Sequence, residues 1–357
     1  MAIQIKAVNP FEMRDSIVEF FWRMRAWPYA TKEEYLRYWD WRYHSISESP
    51  AAVWIATDAG ATVGHIALNF RNLSLDGRRV RAGVPGNFLV DSRYRNTMIG
   101  PLLAGSPMKA VRRDELDLLI GYGNRVAHAV FVGLGCRELG VMRSFVVVRR
   151  WDAVLGRRWR PARSLAPIAR TTVAAWNRLL GRRLPRPAPV LEARALDSQE
   201  LLALDRTHWT PSASLESVGG GRYLVSRFLE CPDRSYRVIG IFNRQTTRIE
   251  ALVVCQDTAR MRIELCEVNP SAISEVEAVA LTVAISPDAE IVLVPLLPGS
   301  RLGDAFAKGG FTMRSDAGSD AVVRSTVWSA YWRPDHQLAP RFADTRAWKL
   351  WYGWSHH

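Results

Sequence analysis

The sequence predicts an α/β (α+β) protein of two tandem domains. Each is expected to be a mixed, mostly antiparallel twisted sheet flanked by helices, with a basic helical linker between them. Three observations carry this. Strand patterns separated by tight-turn residues alternate with helical patterns over residues 51–148, as a sheet covered by helices requires. The second half repeats the order of the first at matched spacing. An arginine- and proline-rich stretch separates the two. The expected divisions are residues 1–150, 151–190 and 191–357.

An N-terminal helical region spans about Pro10 to Tyr43, followed by AAVWIATDAGATVGHIALNF (51–70), which reads as two strands about an Asp-Ala-Gly turn. NLSLDGRRVRAG repeats that form around Asp76-Gly77, a strong hairpin signal. A helix then runs to about Glu115. LDLLIGYG reads as a short buried strand, NRVAHAVFVGLG as a helix stopped by glycine, and SFVVVRR as a further strand. In the second half, SRFLECPDRSYRVIGIF echoes WRYHSISESPAAVWIAT, and FAKGGF (306–311) echoes FVGLGC (131–136). Both copies then pass into β-rich tails, SFVVVRRW and VVRSTVWSAYW.

Net charge is +13, but residues 149–186 hold eleven arginines and one acid, Asp152. The basicity therefore belongs to one segment and does not by itself indicate nucleic-acid binding; no DNA partner is expected. Within that segment Leu165, Ile168, Val173, Trp176, Leu179 and Leu180 recur at helical spacing beside Arg163, Arg170 and Arg178. Such a helix suits an anionic membrane surface contacted through Arg149–Arg186, an anionic polymer, or a connector packed between the domains. Trp348, Trp351 and Trp354 near the C-terminus suggest a tail packed on the body. No apolar run reaches the ~18 residues of a membrane span, and the N-terminus lacks a secretory layout, so a cytoplasmic location is expected, with a peripheral membrane contact open. The four cysteines are scattered without metal-ligand spacing, so neither disulfides nor a metal site is expected.

The stretch FLVDSRYRNTMIGPLL (88–103) joins a strand to a helix. A helix N-terminus leaves its first N–H groups without partners and carries partial positive charge, which makes it a natural anion site. Arg95, Asn96, Thr97, Met98, Ile99 and Gly100 supply consecutive amides, an arginine and polar side chains there, a chemistry that fits a phosphate. An ordinary capped helix with surface arginines is the plain alternative.

In this region the chain resembles the GNAT acyltransferase superfamily. That family has a strand ending near Val-Asp, then R/Q-x-x-G-x-G/A opening a helix, and here Val90-Asp91 is followed by Arg95 through Gly100, with Met98 in place of the central glycine. The family's second pattern, N-x-x-A-x-x-x-Y-x-x-x-G-F, is matched by Asn124, Ala127, Phe131, Gly135 and Cys136. The resemblance covers about Pro50 to Val148 well and Arg237 to Trp332 as an echo. It implies a mixed sheet that splits open to hold acetyl-CoA or another acyl-CoA, with the elbow amides on its pyrophosphate. Phe88, Leu89 and Val90 would then bond the pantetheine and polarise the thioester, and Asn124 and Phe131 would line the same site.

The resemblance also implies transfer of an acyl group to a small-molecule amine, for instance an amino sugar. The family's usual acid, a tyrosine, is Phe131 here, so Tyr122 and His128 stand as candidate proton donors; both residue types also serve as ordinary packed side chains. Asp91 reads as a turn cap, and Cys136 as a small packed thiol. His44, Glu48 and His65 come from segments that could line the acceptor side. In the second copy, IELCEVNPSAISEVEAVAL lacks the arginines and glycines and would repel a pyrophosphate through Glu267, Glu275 and Glu277. Two other classes of function stay open: an aminoacyl-tRNA-dependent (Fem-like) transferase and a non-catalytic CoA-binding or scaffold protein.

Overall fold

The hairpin signals, the helix caps and the repeat each have a counterpart in the computed structural model, which describes residues 3–45, 51–158, 164–179, 185, 188–217, 219–314 and 327–351. The first copy runs β1 (Gln4–Val8), α1 (Arg14–Arg23), α2 (Lys32–Asp40), a π-helical turn (Trp41–Ser45), β2 (Ala52–Asp58), β3 (Ala61–Leu75), β4 (Arg78–Val90), α3 (Ile99–Arg112), β5 (Leu118–Gly123), α4 (Arg125–Gly133), β6 (Arg137–Val141) and β7 (Arg143–Val148). Thr31 and Glu34 close a capping box at the start of α2. Asp76 and Gly77, at φ 53° and 72°, make the tight turn that lets β3 and β4 pair along their length from Leu75–Arg78 to Gly64–Val90.

Helices α5 (Trp151–Arg158) and α6 (Ala166–Leu179) connect the copies. The second copy repeats the plan: β8 (Leu191–Leu196), α7 (Ser198–Leu202), β9 (Glu216–Ser217), α8 (Gly221–Leu224), a second π-helical turn (Val225–Leu229), β10 (Tyr236–Asn243), β11 (Ile249–Gln256), β12 (Arg260–Val268), α9 (Glu275–Ala284), β13 (Ile291–Leu296), α10 (Arg301–Lys308), β14 (Thr312–Met313) and β15 (Val327–Tyr331), then α11 (Ala339–Ala343).

Two mixed sheets result. The first is ordered β1-β2-β3-β4-β5-β15-β6, with β9 added beside β3; the second, β8-β10-β11-β12-β13-β7-β14. The orders are the same except that each copy lends its last strand to the other sheet. β15 lies between β5 and β6, with Val327–Gly123 to Tyr331–Leu119 as its pairs on β5, and β7 lies between β13 and β14. A strand pattern shows that a segment is extended, not which edge it will join, so the sheets do not follow the chain division near residue 150.

The exchange gives the two copies one continuous core. Val80, Ala82, Leu118, Ile120, Met142 and Phe145 pack in the same cluster as Ile239, Val253, Val292, Phe306 and Trp328. The tail closes it, with Trp348 and Trp351 buried, and Lys349 pairs with Glu216 and Glu275; Trp354 lies outside the described residues. The linker behaves otherwise: Ile168, Trp176 and Leu179 on α6 stand in solvent instead of between the domains. Val173 and Ala174 line a groove of about 650 Å³ with Val146, Val148, Trp151 and Thr312. No helix among the described residues is long and apolar enough to cross a membrane.

Trp328 is fully buried on β15 and stacks at a tilt on Tyr122, 5.4 Å between ring centroids. Trp328→Ala is expected to cost about 3–5 kcal/mol. Urea denaturation should show one transition in which both sheets melt together at lower denaturant. Loss of one half with the other intact would mean that the exchanged strands do not couple them.

Candidate active site

Strand β4 pairs with β5 in parallel only at Ala82–Leu118 and Gly83–Leu119. Beyond these the two strands part. β4 stays on β3, and β5 is held on its far side by β15. Asp91 N–H donates to the Val63 carbonyl at 2.9 Å. By the alternation of an antiparallel ladder, the N–H and C=O of Val90 then face the open side. A bulge opposite Ile66 interrupts the β3–β4 register between His65 and Ala67, and Asn87 there takes φ 51°. Two contacts hold Asn87: its carbonyl lies 2.8 Å from His65 Nδ1, and its Nδ2 donates to Tyr43 Oη at 2.9 Å. Accepting that geometry puts the His65 proton on Nδ1.

The elbow follows. Asp91 is buried and accepts from the Arg93 backbone and guanidinium, at 3.1 and 2.8 Å, which holds its carboxyl below the usual range; Arg23 lies 3.8 Å away. It therefore caps the turn, and Arg93 is engaged by it. Tyr94 anchors the turn to Asp58 at 2.6 Å. The amides of Tyr94, Arg95 and Thr97 are turned back on the chain, and Thr97 Oγ1 accepts from Ile99 N–H at 3.3 Å. Among the described residues, the N–H groups of Asn96, Met98 and Gly100 have no protein partner. Arg95 reaches only the Val90 carbonyl, at 3.5 Å through Nε, and its side chain is exposed. Met98 does not obstruct the cradle. Its backbone, φ −71° and ψ −4°, suits any residue, and its side chain is 65% exposed.

Inside the cleft, Phe88 meets Phe131 edge-on at 6.0 Å. Asn124 caps α4 by accepting from Val126 and Ala127 N–H. The two proton-donor candidates have different surroundings. Tyr122 stands on β5 beyond the point of parting, within hydrogen-bonding reach of the Arg42 guanidinium. His128 on α4 places Nε2 2.8 Å from Glu138 of β6. Leu89 lies opposite His65 in the ladder. His65 is fully buried against Phe21 and Trp39, so it positions the bulge instead of lining open space. Glu48 and the side chain of His44 lie outside the described residues. Burial pushes the Cys136 thiol up to about 12, which leaves it a packed thiol.

Residues that sequence reading passed over complete the wall. Arg42, from the first π-helical turn, is 3% exposed and lies against Gly86, while Asn69 donates to the Val84 carbonyl at 3.4 Å. The Arg-aromatic pair at Arg42-Tyr43 marked the repeat, but nothing in its spacing showed that the guanidinium would be buried in the cleft.

The matching place in the second copy is filled. Ser274 and Glu277 close a capping box over the first turn of α9, so a carboxylate sits where the first copy has open amides. Glu275 pairs with Lys349 at 2.6 Å, and Glu267 is buried on Arg206. No group of residues suited to hold a metal is found among the described residues.

No family model and no curated protein matches the sequence. Solved structures share the fold. A probable N-acyltransferase from Enterococcus faecalis superposes at TM-score 0.58 with 8% identity, covering 93% of this chain and 73% of that one. A GCN5-related N-acetyltransferase from Anabaena variabilis gives 0.55 and 10% over 92% and 72%, and one from Kribbella flavida 0.53 and 12% over 92% and 71%. The chain thus carries the GNAT superfamily fold, in two tandem domains.

The buried imidazole generates an acid-stability prediction. Desolvation lowers His65 from 6.5 to about 4, outweighing its bond to Asn87. The unfolded chain therefore takes up a proton near pH 6.5 that the folded protein refuses until pH 4. Stability present above pH 6.5 should decline as pH falls toward 4, by about 3 kcal/mol at the lower end. Chemical denaturation from pH 7 to 4 should show a flatter decline in His65→Gln; an unchanged slope would remove His65 as the cause.

Proposed function

We propose that the protein is an acyl-CoA-dependent N-acyltransferase whose first copy alone binds the donor. One observation carries this reading: β4 leaves β5 after Gly83, beside a helix start with open amides at Asn96, Met98 and Gly100. A diphosphate would take those amides, with the Arg95 guanidinium beside them. The pantetheine would lie along the open edge of Phe88, Leu89 and Val90, and acetyl-CoA or another acyl-CoA is the donor class. The structural neighbours called N-acetyltransferases support the general activity.

Transfer forms a bond from the acceptor nitrogen to the thioester carbon and breaks the carbon–sulfur bond. The amine's proton goes to solvent, and the departing thiolate needs one. Tyr122 is the group we assign to that donation, because it stands at the parting of the strands beside Arg42, whose positive charge would stabilise the phenolate left behind. The Glu138 contact of His128 favours a supporting role for α4.

Acetyl-CoA at millimolar concentration should raise the melting temperature, and Arg95→Glu should abolish the shift. A shift that survives in that variant would misplace the pyrophosphate. No shift with any acyl-CoA would favour aminoacyl-tRNA-dependent transfer or a non-catalytic role. Tyr122→Phe should lower kcat by about 10²–10⁴-fold with little change in donor affinity, measured by thiol release.

A further inference from the structure

The two copies differ at one matched position in a way that points to the acceptor. The parallel pairs Ala82–Leu118 and Arg260–Ile291 and the strand ends Val90 and Val268 bring β4 and β12 into register, so that Gly86 corresponds to Glu264. Each π-helical turn carries an arginine: Arg42, which lies against Gly86, in the first copy and Arg227 in the second. In the second copy, Glu264 is fully buried and bonded to Arg262 at 2.8 Å; burial raises its carboxyl above the ordinary range, against the opposing pull of Arg262, Arg234 and Arg227. The first copy has the cation without the carboxylate. A Cβ on Gly86 would come within 2.7 Å of Arg42 Nη2 and 3.3 Å of Asn69 Nδ2.

Arg71 of β3 adds a second cation. Its guanidinium stands 5.2 Å over the Tyr223 ring and donates to the Phe70 carbonyl at 2.8 Å. Both Arg42 and Arg71 keep a buried Nε without a hydrogen-bond partner among the described residues. Neither faces a described carboxylate: tyrosines surround Arg42, and the charged neighbours of Arg71 are Arg227 and Arg42. Burial, and then those positive charges, push the Arg71 guanidinium below its ordinary value, against the opposing pull of Tyr223. The acid on the far side, Asp233, near Tyr38, accepts from Tyr29. Desolvated guanidinium groups are ordinarily matched by a carboxylate, because burying a charge alone is costly. Planar bidentate pairing makes a carboxylate the natural complement of arginine.

We propose that Arg42 and Arg71 bind a carboxylate carried by the acceptor, so that the substrate is an amine that also bears a carboxylate, its anion taking the place that Glu264 fills in the second copy. Arg42 lies within hydrogen-bonding reach of Tyr122, at the parting of the strands, which would set the amine toward the thioester. This assignment rests on the acyltransferase reading, but its test needs no acyl-CoA.

Calorimetry on the full-length protein with single amino acids and their carboxamides should find at least one acid bound tenfold or more tightly than its amide. Arg42→Met and Arg71→Met should each remove that preference. Equal binding of acid and amide, no binding by any acid, tighter binding of phosphoethanolamine than of every acid, or a preference that survives in the variants would overturn the proposal. Failure there with an intact acetyl-CoA shift sinks only the acceptor assignment. Should Arg42→Met not fold, Gly86→Glu against Gly86→Gln decides the matter without ligand. The glutamate variant should melt about 2–4 °C higher at neutral pH, a gap that closes as pH falls through the carboxylate range. Equal melting would show that the pocket has no unmet positive charge.

Discussion

Everything in the first copy depends on keeping two neighbouring strands apart. Parted strands expose N–H and C=O groups that would otherwise pair, so a sheet tends to close unless each strand is held from its other side. β3 holds β4 as far as Val90, and β15 holds β5 from Leu119 to Gly123, including the stretch from Ile120 onward that β4 has left. The bulge at Asn87, fixed by His65 and Tyr43, bends β4 within the open section. Because β15 is encoded by the second copy, that copy is structurally required for the opening in the first.

Within the same fold, the two copies differ at a few matched positions. At the helix start, the first copy leaves amides facing solvent, while the second answers them with a capping box whose glutamate supplies the negative charge from within. Along the matched strands, Gly86 lies against the buried Arg42 where the second copy has the buried Glu264, bonded to Arg262. At the helix start the second copy thus satisfies internally the donors that the first presents. The fused core, which includes Trp328, Phe306 and Trp351, joins the two copies.

Sequence reading found the parts of this site that are local. The elbow from Asp91 to Gly100 was legible because helix starts, caps and turn residues act over a few neighbouring positions, and the Asp76-Gly77 hairpin for the same reason. Met98, where the resembling family has a glycine, sits in ordinary helical backbone with its side chain in solvent, which spacing alone could not show. His65 was legible as a segment that could reach the cleft, but its burial behind the bulge depends on Phe21 and Trp39, far away in the chain.

By itself, then, the sequence determined the tandem α/β plan, the order of elements within each copy, the strand-to-helix elbow after Asp91 and the acidic character of its second version. These follow from periodicity, capping and charge, which a short stretch of chain carries with it. Tertiary structure alone decided that the last strands change places, that β4 and β5 part after Gly83, and that Arg42 and Arg71 meet without a carboxylate. Strand partners and buried charge pairs form between residues tens to hundreds of positions apart, and their energies depend on which surfaces the folded chain removes from water.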